Sequence, residues 1–186
     1  MSPMKIRIYG DPVLKEKAAP IELIDPEVAE LAAAMADTMY ESSGIGLAAP
    51  QVGVSRRLVV VDVDWASRER EESGRRAPAN APRNLRVYVN PLIVWESDED
   101  CSMTEGCLSI PGVEGEVYRP AEVRVRYQDL QGIEHEEAME DLLARCIQHE
   151  IDHLDGILFP DRMPFLKRTR IAGQLNRLKR QDEAAG

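Results

Sequence analysis

Two of the chain's three histidines, His149 and His153, stand four positions apart in QHEIDHLDG, with Glu150 directly after the first. At about 100° per residue the two rings leave a helix only about 40° apart and one turn along it, so both can reach one ion. Glu150 projects from an adjacent angle, close enough to act on a water at that ion without ligating it. Cys146 shares this face, and four such groups interrupt the inward stripe of a helix that is otherwise apolar. Burying them without a partner is expensive. The plainer alternative is a pair of partly buried rings hydrogen-bonded to backbone.

Two imidazoles leave a tetrahedral site short of a protein ligand. Downstream donors are poor. Phe159 stands where a metzincin-type third histidine belongs, and after His153 the only glutamate is Glu183. Upstream, His135 sits in a strand pattern among glutamates and reads as a surface residue, while Cys146 reads as a small buried hydrophobe. Cys101 and Cys107 remain. Cys107 lies in MTEGCLSIPG, where Gly106, Ser109, Pro111 and Gly112 argue for a tight, irregular backbone rather than a strand interior. A thiolate there with two imidazoles makes a three-ligand site with one open position, the arrangement of a catalytic rather than a structural metal.

The elements that must position these groups follow from periodicity. IDPEVAELAAAMADTMYESSG reads as a helix: Asp25 can cap it, Pro26 suits its first position, and Val28, Leu31, Met35 and Met39 form its stripe, with Gly44 just past the end. RLVVVDVD and LRVYVNPLIVW, rich in β-branched residues, read as strands. The charged, proline-rich stretch between them, about 65–84, reads as a surface insertion. AEVRVRYQDLQGIEHEEAMED reads as two strands around a turn at Asp129–Gly132. From about Met139 to Asp155 a helical period takes over, with Gly156 as terminator, so the histidines sit on this helix. Strands before it and a helix after it predict an α+β fold, an antiparallel sheet covering a central helix.

A length of 186 residues with 44% apolar content fits a single catalytic domain, 1–186, that needs no disulfide. Three cysteines leave at least one unpaired and suit a reducing compartment. No stretch reaches the length of a membrane span and no secretory pattern opens the chain, so the expectation is a cytoplasmic protein. A formal net charge of -10 argues against wrapping nucleic acid, and no specific DNA binding is expected. The stretch at about 164–180, FLKRTRIAGQLNRLKRQ, is nonetheless basic, with Leu166, Ile171, Leu175 and Leu178 near helical spacing. It reads first as a solvated helix packed by its leucines, and second as a docking helix for an anionic partner such as ribosomal RNA.

GIGLAAPQVG at Gly44–Gly53, EGCLS at Glu105–Ser109 and QHEIDH at Gln148–His153 resemble, in order and separation, the three motifs of peptide deformylase, and the likeness covers most of the chain. The resemblance implies that family's fold, antiparallel β-sheets around a central metal-binding helix. It also implies one divalent ion, natively Fe2+, and removal of the formyl group from the N-terminal formyl-methionine of nascent bacterial or organellar polypeptides. Zn2+, Ni2+ and Co2+ also suit such a nitrogen and sulfur set. By position it makes Cys107, His149 and His153 the ligands and Glu150 the acid/base. Gln51 becomes the side-chain donor and Leu108 the backbone donor to the oxyanion; each such donor typically contributes about 3 kcal/mol. It further implies that the substrate main chain adds as a strand beside Ile45, Gly46 and Leu47, and that methionine enters a pocket walled by Ile45, Leu142 and Cys146. A protein acting on chains leaving the ribosome gives the basic terminal helix a second reason to dock there. The rival readings are a zinc endopeptidase, which needs a ligand beyond His153, and a non-catalytic metal-binding module.

Overall fold

The computed structural model describes residues 4–65 and 83–185, the last four without side-chain detail. Most of the insertion read at about 65–84 therefore lies outside the described residues. A 3-10 turn at Pro12–Lys15 precedes α1 (Pro26–Glu41), and β1 (Gly46–Ala48) leads into a second 3-10 turn, Ala49–Val52. There follow β2 (Leu58–Val61), β3 (Arg86–Glu96), β4 (Asp100–Cys107), β5 (Ile110–Pro120), β6 (Val123–Gln128) and β7 (Glu134–Met139). Three helices close the chain: α2 (Asp141–Leu154), the short α3 (Phe159–Arg162) and α4 (Phe165–Ala185).

The strands form a five-stranded antiparallel sheet, β1-β2-β3-β6-β7, and a separate hairpin, β4-β5. Within β2 the side chains alternate: Leu58 and Val60 join the core under α1, Val59 and Val61 the core under α2. Both faces are covered, which is why RLVVV carries no polar alternation. In β6 only one face is covered, so buried Val123 and Val125 alternate with exposed Arg124 and Arg126. Fully burying one such valine contributes roughly 1.5–3 kcal/mol. A third core, Val113 and Val117 of the hairpin with Phe159, Met163 and Leu175, fixes α3 and α4.

α1 starts where the sequence predicts, with the Asp25 carboxylate accepting from the Val28 N–H at 3.1 Å and Pro26 at the first position. α2 ends at Leu154, and Gly156 follows at φ 71°. A Cβ at that glycine would lie 2.5 Å from the Lys15 carbonyl oxygen. The stretch around Cys107 departs from the expectation of irregular backbone: β4 stays in register with β5 up to Gly106–Glu114, and a bulge then brings Cys107 opposite Ile110. Gly106 and Ser109 disguised the strand because an edge hairpin tolerates small residues that a central strand would not. On α4, Leu175 is buried and Ile171 and Leu178 are partly buried, whereas Leu166 is 74% exposed and does not pack as its spacing suggested.

Candidate metal centre

α2 lies between the sheet and the hairpin, and its polar face meets both. On the hairpin side Cys107 Sγ approaches His153 Nε2 at 3.2 Å, and one turn earlier Glu105 Oε2 accepts from His149 Nδ1 at 2.9 Å. On the sheet side a Cβ at Gly46 would fall 2.5 Å from Glu150 Oε1 and 2.7 Å from Cys146 Sγ. Only glycine lets β1 sit this close to the helix.

Cys107 Sγ and one nitrogen from each of His149 and His153 lie within 4.8 Å of one another. The two Nε2 atoms are 3.3 Å apart, about the edge of a tetrahedron with bonds of about 2.0–2.1 Å to nitrogen. Because the Glu105 carboxylate accepts from His149 Nδ1, Nε2 is the nitrogen that this ring turns toward the cluster. His153 Nδ1 and Glu150 Oε2 are buried and have no hydrogen-bond partner among the described residues. One thiol sulfur and two imidazoles, converging with no carboxylate among them, fit a borderline divalent cation and leave a position open. Cys101, the other cysteine the sequence left in contention, instead accepts from Arg145 Nη2, at 2.9 Å to its sulfur and 2.6 Å to its carbonyl oxygen.

Burial penalises charge on Glu150; although His149 and Arg119 pull the other way, its carboxyl is pushed up to about 7. Burial also opposes the imidazolium of His149, yet hydrogen bonds to Cys107 and Glu105 outweigh it and raise the ring well above the ordinary histidine value. His153, buried and beside His149, is driven well below that value. The Cys146 thiol is raised by burial and by Glu150, which keeps it protonated.

The remaining sequence-named residues fall as follows. Gln51 is 1% exposed; its Oε1 accepts from the Ala48 N–H at 2.8 Å, which aims Nε2 at Ser109 Oγ (3.2 Å) and Cys107 Sγ (3.5 Å). Leu108 caps the hairpin with its side chain over Gly44. Cys146 Sγ reaches the Ile45 carbonyl at 3.7 Å. Leu47 turns into the core under α1, so only its backbone faces the site. Leu142 is half-buried one turn before Cys146, and its neighbour Leu143 is the one packed against the core under the sheet.

Sequence reasoning missed the support behind His149. Arg119 donates to both oxygens of Glu105 (2.7 and 2.9 Å) and to Asp152 (2.7 Å); Arg145 adds a bond to Glu105 (3.0 Å), and Arg162 clasps Asp152. Burial raises the Glu105 carboxyl, but the hydrogen bonds from Arg119 and His149 overcome it and hold it far below the carboxylate range. A signal existed: Val113, Gly115, Val117 and Arg119 alternate inward on β5, and an arginine ending such a row calls for a buried partner.

The polypeptide deformylase family profile matches residues 3–169. A peptide deformylase of Rhizorhabdus wittichii is 44% identical over 175 residues, 94% of each chain, and that of Phenylobacterium zucineum is 42% identical over 185 residues, spanning both chains fully. Among solved structures, a plant peptide deformylase superposes with a TM-score of 0.88 at 37% identity, covering 100% of this chain and 94% of its own. One from Plasmodium falciparum gives 0.86 at 37% identity, with 97% and 98% covered.

Proposed function

The chain belongs to the polypeptide deformylase family, and we propose how its residues divide the work of that hydrolase: removing the N-formyl group from the N-terminal formyl-methionine of nascent polypeptides. The observation that carries the division is the convergence of Cys107 Sγ with the Nε2 atoms of His149 and His153 beside the side-chain amide of Gln51. Cys107, His149 and His153 hold one divalent ion, and Fe2+ is the native occupant we favour. When bound, the ion supplies a Lewis acid that brings the pKa of water to about 7.

Glu150 takes the proton of the attacking water at its free Oε2 and returns it to the departing amine, which without protonation is a very poor leaving group. Its burial favours the protonated form, and the field of a nearby cation opposes that, so the carboxyl can serve in both directions. Gln51 Nε2 and the Leu108 N–H donate to the formyl oxygen as negative charge grows there. Fixing Gln51 through Ala48 before substrate arrives avoids reorganisation during the reaction. The free edge of β1 at Ile45, Gly46 and Leu47 pairs with the substrate backbone, and Ile45, Leu142 and Cys146 wall the methionine pocket.

Anaerobic loading with iron or nickel, metal analysis and an assay for formate from formyl-methionyl peptides test the assignment. Cys107→Ser is expected to lose metal, and Glu150→Ala to keep metal while formate release falls at least about 100-fold. Metallated protein that releases no formate ends the reading. No described helix is long and apolar enough to cross a membrane; we place the protein in the cytoplasm, where nascent chains emerge. The exposed arginines of α4, Arg170 and Arg177 among them, support docking on the ribosome. Salt-dependent co-sedimentation that disappears when α4 is removed is the expected result, and salt-insensitive or absent binding excludes it.

A further inference from the structure

β1 and β4 flank α2 and run alongside it in the same direction. Ile45 lies at Cys146, and Ala48 is tied through Gln51 to Cys107 at the His153 end. On the other side Cys101 lies at Arg145, Glu105 at His149 and Cys107 at His153. β1 pairs with β2 along one edge, and no described strand pairs with its other edge. The channel between β1 and β4 is therefore floored by α2 and closed at one end by the metal-ligand cluster. A peptide entering formyl end first extends from that cluster toward Cys146 as an antiparallel strand.

Successive side chains of such a strand point to opposite faces, about 3.3 Å apart along it. With the first side chain down against Gly46 and Cys146, the second points up to solvent. The hairpin has the same two faces. Glu105 and Cys107 point down to α2, whereas Gly106 opens upward, and its cross-strand partner is Glu114. The Glu114 Cγ lies 3.7 Å from where a Gly106 Cβ would be, so this side chain hangs over the channel rim one residue from Cys107. Glu114 is exposed, and among the described residues no charged or polar group partners it. Its neighbour on the same face, Glu116, is already held by Lys167, Ser102 and Tyr118.

We propose that Glu114 sets the enzyme's preference for the second substrate residue, favouring lysine or arginine there over glutamate or aspartate. This rests on the deformylase assignment of the site. The long cationic side chain reaches the carboxylate across the rim while its own backbone stays paired with β1, and an acidic side chain at that position meets like charge in the same place. Because the whole chain carries -10, a general attraction for cationic peptides also exists, and only a Glu114 variant separates the two.

The experiment compares kcat/KM for formate release from formyl-Met-Lys-Ser and formyl-Met-Glu-Ser, using metal-loaded protein at low and high salt. The lysine peptide is expected to be favoured about threefold or more at low salt, the range of an exposed ion pair, and the ratio to shrink in 1 M salt. Glu114→Gln brings the ratio toward one and Glu114→Lys inverts it, with circular dichroism and metal content matching the unsubstituted protein. An unchanged ratio in both variants, or equal use of the two peptides by the unsubstituted protein, overturns the proposal while leaving the deformylase reading intact. Formate from neither peptide overturns both.

Discussion

Two ladders of the same residue types cross this molecule and live in different dielectrics. On the outer face of β6 and β7, Arg124 and Arg126 meet Glu136 at 3.8 and 3.1 Å, with side chains 39–52% exposed. Behind His149, Arg119 meets Glu105 and Asp152 at 2.7 Å, with side chains 4–8% exposed. Water screens the first ladder, so its pairs contribute about 0–1 kcal/mol each. The second has lost its water, so each member depends on the others for charge compensation. One ladder decorates a sheet, while the other orients a metal ligand.

Removing the centre of the buried ladder is the strongest way to break this contrast. Arg119→Met takes the shared cation from two buried carboxylates, leaving Glu105 to Arg145 and His149 and Asp152 to Arg162, and is expected to destabilise the fold by about 3 kcal/mol in urea unfolding. A loss under 1 kcal/mol would make the two ladders equivalent. Glu105→Gln retains volume but gives up the negative charge that holds the His149 Nδ1 proton. Metal retention against a chelator should weaken by roughly 10–100-fold.

An intermediate case sharpens the comparison. Asp161, between Lys15 and Arg168, accepts from the Leu158 N–H. Burial raises its carboxyl, but the Lys15 bond outweighs this and the net shift is downward from 3.8. The folded value lies below the unfolded one, so its stabilisation is present above about pH 4 and is lost as pH falls through the folded value. Asp161→Asn should flatten the acid limb of stability against pH in thermal melts, and an unaltered limb would remove Asp161 from the account. The smallest effect belongs to the exposed ladder. Arg126→Ala should change stability by less than about 0.5 kcal/mol, and a loss above 1 kcal/mol would show that exposure does not govern these pairs.

The helices and the sheet strands were legible because their periods are local. Asp25, Pro26 and the stripe from Val28 to Met39 define α1 without reference to anything distant. The alternation from Val123 to Tyr127 does the same for β6. The hairpin was harder to read, since Gly106 and the bulge after it break the pattern where the strand meets the site. The metal cluster was half legible: His149 and His153 share a helix face by spacing alone, but Cys107 stands 42 positions before His149 and its place depends on how β4 crosses α2.

Sequence alone determined which groups share a face, because a helix or strand repeats at fixed angles whatever surrounds it: two imidazoles and a carboxylate on α2, two valine faces on β2. Tertiary structure alone decided which faces meet, because a contact between distant segments depends on core packing that no local pattern encodes. It put the sulfur of Cys107 against His153, the arginine of β5 behind Glu105, and a glycine of β1 against Glu150. The charge states of these groups follow from the dielectric that packing creates, and so they too were fixed only when the chain closed around α2.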